Sequence, residues 1–95
     1  MAKVVVSPQA ETDLQDIWLN IALDNPAAAD RVLIKIGESL DRLSEFPEIG
    51  APRPELAPAA RMLVVRNYVV LYEPTAHGVE VVRILHGARN LDEIF

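Results

Sequence analysis

The chain has 95 residues, a formal net charge of −5, no cysteine and two histidines. A chain of this length makes one domain, burying about 60 to 65 per cent of the surface its unfolded form exposes, with a stability of roughly 5 to 14 kcal/mol. Without cysteine, disulfides and thiolate metal sites are excluded and a reducing cytoplasm is expected; no apolar run approaches the ~20 residues of a membrane span, and the apolar start is too short for a signal peptide.

In chain order, the β-branched Val4-Val5-Val6, stopped by Ser7-Pro8, predicts a strand over 2–6. Ser7 reads as a helix N-cap with Pro8 at the first helical position. Ala10, Leu14, Ile17, Trp18, Ile21 and Ala22 recur at spacings of three and four, one apolar stripe on a helix reaching about Leu23, with Asp13, Gln15, Asp16 and Asn20 assigned to its other faces. Asn25-Pro26 repeats the cap signal, and Ala29, Val32, Leu33, Ile36, Leu40 and Leu43 form a second stripe ending before Pro47. With only Asp24 and Asn25 between them, the two helices fold back as a hairpin.

Residues 47–59 carry Pro47, Gly50, Pro52, Pro54 and Pro58, which predicts an ordered loop without regular pairing. Strands follow at 61–65 and 68–72 across Arg66-Asn67, where Asn67 is expected to take the positive φ of a tight turn. Residues 74–78 turn the chain again, 79–85 form the last strand, and Asn90 with Glu93 caps a short terminal helix that packs Leu91, Ile94 and Phe95 back. The expected fold is α+β, ordered β-α-α-β-β-β with a short C-terminal helix, the helical hairpin lying on an antiparallel sheet.

Charge is distributed unevenly. Residues 1–52 hold nine acids against Lys3, Arg31, Lys35 and Arg42, whereas 53–95 hold five acids against five arginines. A nucleic-acid backbone is gripped by a cationic surface, so direct nucleic-acid binding is not expected. The two histidines are too far apart in sequence to suggest a metal set, and no cofactor is implied. The end of the last strand, with Arg83, His86 and Arg89 around Gly87, is where function is expected, because side chains leaving a sheet margin face partners instead of core.

The hairpin, the segment Pro47-Glu48-Ile49-Gly50-Ala51-Pro52-Arg53-Pro54-Glu55-Leu56, the strand Asn67-Tyr68-Val69-Val70-Leu71-Tyr72 and the end Leu85-His86-Gly87-Ala88-Arg89-Asn90 together resemble the RelE/ParE toxin superfamily, and within it the ParE branch. The resemblance covers nearly the whole chain. It implies the toxin of a bacterial type II toxin–antitoxin module, held as a hetero-oligomer by a ParD-like antitoxin whose C-terminal segment wraps it. ParE-type members poison DNA gyrase; RelE-type members cleave messenger RNA on the ribosome. In the RelE pattern an arginine follows the aromatic of the middle strand and a tyrosine acts as base near the chain end. Here Val69 follows Tyr68 and the last aromatic is Phe95, so a non-catalytic toxin is expected, with a ribonuclease or a non-toxic antitoxin-binding module as alternatives.

On this reading Arg83, His86, Arg89 and Phe95 act on the target, while Trp18, Leu33, Ile36, Arg53, Tyr68 and Tyr72 receive the antitoxin. Each residue also has a plainer account. Arg83 and Arg89 can pair with Glu80 or Asp92, and His86 can bond to backbone or, less favoured, move a proton. Trp18 can be core, Arg53 simple surface, and the tyrosines, four apart and so on one face of a strand whose period is two, are both inside or both at a groove edge, the edge being favoured.

Overall fold

The computed structural model describes residues 3–87. The elements are β1 (Lys3–Val6), α1 (Pro8–Ala22), α2 (Pro26–Glu45), β2 (Ala51–Pro52), β3 (Arg61–Val65), β4 (Tyr68–Thr75) and β5 (Gly78–His86). Both helix starts follow the capping signals. Ser7 Oγ accepts the Ala10 N–H at 3.0 Å, and Asn25 Oδ1 accepts that of Ala28 at 3.1 Å, each ahead of a proline in the first turn. The expected terminal helix at 90–95 lies outside the described residues.

The sheet runs β1-β5-β4-β3-β2 and is mixed, not antiparallel throughout. β3, β4 and β5 form the expected meander, but β1 lies parallel to β5, with Lys3 opposite Gly78 and Val6 opposite Val81. The hairpin of helices is the crossover that carries the chain from one edge across the sheet. Gly78, at φ +153, sits so close to Lys3 that a side chain there would overlap the Lys3 backbone, so glycine permits the pairing.

Three further departures have local causes. Ala51 and Pro52, within the predicted unpaired loop, pair with Met62 and Arg61 as an edge strand, where proline is tolerated because one side needs no donor. β4 runs on through Pro74 to Thr75, so the turn is shorter than expected. At the first hairpin the positive φ falls on Arg66, at +55, and not on Asn67.

β4 alternates between two cores. Val70 and Tyr72 join Ile17, Ile36, Leu43, Val79, Val81 and Ile84 under the helices, while Val69 and Leu71 meet Leu85 on the other face beneath Leu56 and Met62. Val70, Leu71 and Tyr72 are wholly buried. Gly37 interrupts α2 in mid-course at a cost of about 1 kcal/mol against alanine, and a Cβ there would meet nothing within 4 Å. Among the described residues no helix is long and apolar enough to cross a membrane.

Candidate functional site

Three places combine chemistry with exposure, and one residue of the expected site is held in an ion pair within the fold. The last is Arg83. The register shifts between Leu71 and Tyr72, which pair with Arg83 and Val81, leaving Val82 as an extra residue in β5. Pairing with β1 ends at Val81, so β5 continues past its neighbour with an open edge. Helix α1 closes that edge: Ser7 Oγ donates to Val82 O at 2.9 Å, and Asp13 Oδ2 accepts the Ile84 N–H at 3.0 Å. Asp13 also takes a two-pronged bond from Arg83, Nε to Oδ2 at 2.8 Å and Nη2 to Oδ1 at 3.0 Å. The Asp13 carboxylate beside it holds the Arg83 guanidinium even further above the ordinary arginine value, so the clamp stays charged. Arg83 therefore ties α1 to β5, with Asp13 and not Glu80 as its ion-pair partner among the described residues; Asp92, the other expected partner, lies outside them. Asp13, assigned to an outer face, is only 8% exposed. Its place was readable: it stands three after Ala10 and four before Ile17, on the inward stripe.

Tyr72 and Ile36 are likewise core residues, 0% and 1% exposed, and offer no side chain to an approaching segment. The hydroxyl that seemed to require a groove edge is satisfied inside: Tyr72 Oη donates to Pro47 O at 2.8 Å and accepts the Gly50 N–H at 2.9 Å. Burial pushes the Tyr72 hydroxyl above the ordinary tyrosine value. Arg61, which sequence reasoning passed over, adds Nη1 bonds to Glu48 O at 2.9 Å and Gly50 O at 2.7 Å. These side chains fasten the proline-rich segment to β3 and β4.

The first exposed place is a groove along the helical hairpin, lined by Leu14, Gln15, Trp18, Leu19 and Leu33. Trp18 is half-buried, with its Nε1 donating to Asp30 Oδ1 at 2.9 Å, which fixes the indole as part of the wall. Leu33 is half-buried beside it and Leu19 is 56% exposed. Of the residues expected to receive an antitoxin, Trp18 and Leu33 are thus brought together, and Ile36 is separated from them by facing the sheet.

The second is a cleft at the end of the sheet, where Arg53, Arg66, Tyr68 and His86 surround a floor of Met62, Val64 and Val69. Arg53 Nε pairs with Glu55 Oε2 at 2.6 Å, and this bond lowers the Glu55 carboxyl below its ordinary value. Arg53 Nη1 also reaches Met62 Sδ at 3.2 Å, laying the guanidinium over the floor. Tyr68 and His86 meet edge to face with ring centroids 5.8 Å apart. Both also line a shallow depression that continues to Asp16 and Asn20 on α1. Arg89 and Phe95 lie outside the described residues.

The third is a depression between Phe46, Ile49 and the turn at Ala76 and His77, at the opposite end of the sheet from the cleft. Phe46 is 58% and Ile49 44% exposed.

Comparison with known proteins agrees with this architecture. A family model described as ParE toxin of type II toxin–antitoxin system, parDE, matches residues 4–91. Toxin ParE3 of Caulobacter vibrioides is 32% identical over 92 residues, spanning 96% of this chain and 92% of the relative. Toxin RelE2 of the same organism is 37% identical over 89 residues, spanning 94% and 99%. A solved chain of the chromosomal ParDE TA system from P. aeruginosa shares the fold, with a TM-score of 0.77 at 22% identity, covering 90% of this chain and 96% of that one. With the helical hairpin, the mixed sheet and a family match from β1 through the end of β5 and beyond, the chain belongs to the ParE toxin family of type II toxin–antitoxin systems.

Proposed function

We propose that this toxin arrests growth in the cytoplasm by binding DNA gyrase without catalysing a reaction, and that a ParD-like antitoxin holds it inactive in a hetero-oligomer. The observation that carries the non-catalytic reading is Val69. It follows Tyr68 where the RelE pattern has an arginine, and it is 6% exposed, packed with Leu71 and Leu85. Cleavage by a 2′-hydroxyl needs proton transfer and cations at the developing phosphorane, and an apolar side chain supplies neither. The antitoxin is assigned to the hairpin groove through Trp18 and Leu33, with Arg53 and Tyr68 as contacts at the cleft. The target is assigned to the C-terminal end through His86, Arg89 and Phe95.

A ribonuclease remains the second reading because Arg53, Arg66, Tyr68 and His86 gather around one cleft, and a relative named as a RelE toxin is 37% identical. Expression without the antitoxin separates them. Gyrase poisoning predicts DNA damage, intact messenger RNA and inhibited supercoiling by the purified chain. Cuts in messenger RNA with unchanged gyrase activity would replace the first reading by the second.

A further inference from the structure

Arg66 stands at φ +55 in the two-residue turn between β3 and β4, a conformation that such turns ordinarily give to glycine, asparagine or aspartate. Its side chain returns nothing to the fold. Arg53, Arg61 and Arg83 each bond to a protein acceptor, whereas Arg66 is exposed and has no ion-pair partner among the described residues. A strained backbone that presents an unpaired cation to solvent points to a partner outside the chain.

Arg66 is a common wall of two depressions. On one side Lys35, Ser39 and Arg42 of α2 face Val64, and on the other lies the cleft that Arg53 borders. Arg42 reaches Ser39 Oγ at 3.4 Å and no acid among the described residues. Lys35 meets Glu38 at 3.4 Å with more than half of both side chains in water, a pair that holds the ammonium weakly. The strand edge beside them is open: β2 stops pairing at Met62, so among the described residues Leu63, Val64 and Val65 have β4 on one side and no strand on the other.

A protein partner would be anchored by aromatic or aliphatic side chains at a desolvated centre. The depression against α2 has no aromatic, and its apolar part is Val64, 61% exposed, with buried Val65. A phosphate backbone asks instead for spaced cations and N–H donors, and it carries charge along a line that can meet both depressions. Resting on the proposed gyrase reading, we infer that Arg66, with Arg42, Lys35 and Arg53, contacts the phosphate backbone of the DNA that gyrase holds. Phosphates carry no sequence information, so the contact is the same on any duplex. The net charge of −5 opposes DNA at a distance, so the contact is weak alone and strengthens a toxin already seated on its target.

Labelled duplexes of two unrelated sequences, titrated with the full chain by fluorescence anisotropy, test the edge without gyrase. At low salt the chain should bind both alike, and the slope of log Kd against log salt should fall by about 1 with Arg66→Gly and again with Arg42→Ala. Glycine accepts φ +55, so Arg66→Gly should keep or raise the melting temperature, and Arg66→Lys should keep most of the affinity. No binding at low salt, a slope unmoved by both substitutions, tighter binding of a glutamate-rich peptide, or a preference for single-stranded RNA would each overturn the inference. Supercoiling assays judge the gyrase reading separately. Inhibition by wild type that weakens by about threefold or more in Arg66→Gly supports both. Equal inhibition by the two keeps gyrase and rejects the DNA contact; no inhibition by wild type rejects the gyrase reading, and the duplex titration alone then decides whether the edge binds DNA.

Discussion

Removing the Asp13 carboxylate should break the polar tie between α1 and β5. Its oxygens lie 2.8 and 3.0 Å from Arg83 and 3.0 Å from the Ile84 N–H, and its side chain is 9% exposed. Asp13→Ala leaves the buried Ile84 donor unmet, worth about 1 to 3 kcal/mol, and strips the partner from a guanidinium that keeps 20% of its side-chain surface in water. That residual hydration puts the second loss below the 3 to 5 kcal/mol of a fully buried pair, at about 1 to 2 kcal/mol. The expected total is about 3 kcal/mol, a large part of what a domain of this size holds, and a fall in melting temperature of roughly 12 to 24 °C. Asp13→Asn keeps an acceptor for Ile84 and should cost about half as much. Urea unfolding of Asp13→Ala, Arg83→Ala and the double variant gives the decisive cycle. Because each partner's loss strands the other, the double variant should fall short of the sum by about 1 to 2 kcal/mol. A cost under about 1 kcal/mol for Asp13→Ala, or additive single effects, would refute the clamp.

Tyr72→Phe should cost about 2 kcal/mol, since it leaves the Gly50 N–H and Pro47 carbonyl without their shared hydroxyl, and amide exchange at Gly50 should accelerate. The same hydroxyl titrates above its ordinary value when folded, so its contribution is whole below pH about 10 and is lost as pH rises through the raised value. Alkaline urea melts should therefore show wild type losing stability that Tyr72→Phe does not lose. Gly37→Ala should raise stability by about 0.5 to 1 kcal/mol, because nothing lies within 4 Å of the added methyl; thermal melts check it, and a decrease would mean that the flank is not open.

What the sequence made legible was what short-range chemistry decides. Ser7-Pro8 and Asn25-Pro26 announce their helices because cap and proline act within one turn, and the capping bonds are present. The parallel pairing of β1 with β5 joins residues some 75 positions apart in chain, with no local signal beyond Gly78, which reads equally well as a turn residue. The same distance hid Arg83: near neighbours offered Glu80 as a partner, while Asp13 reaches it only once α1 covers the bulged end of β5. Tyr72 was misplaced because its hydroxyl partners belong to a loop whose backbone path is set by the fold, even though the period-two rule put it on the same strand face as Tyr68. Periodicity put Trp18 in the middle of its apolar stripe, with core as the plainer account, and Leu33 simply within the second stripe; that both line a groove emerges only once the two helices are packed together.

The two exposed places that matter on the proposed reading are separated by one helix. The groove lined by Trp18 and Leu33 and the depression from Asp16 and Asn20 to Tyr68 and His86 flank α1 on opposite sides. An occupant confined to the groove leaves His86 and the sheet end uncovered, and a helix seated there would neutralise the toxin only through bulk. An α-helix with side chains is about 10 Å across, however, and an extended chain covers about 3.3 Å per residue, so three or four residues suffice to cross α1. The crest they would cross already carries Leu19 and Leu23, 56% and 84% exposed, which is apolar surface the domain's own core does not use. A single partner segment that is helical in the groove and extended over this crest would thus reach Tyr68 and His86 without a long linker. On that reading the leucines of the crest connect antitoxin binding to coverage of the end assigned to the target.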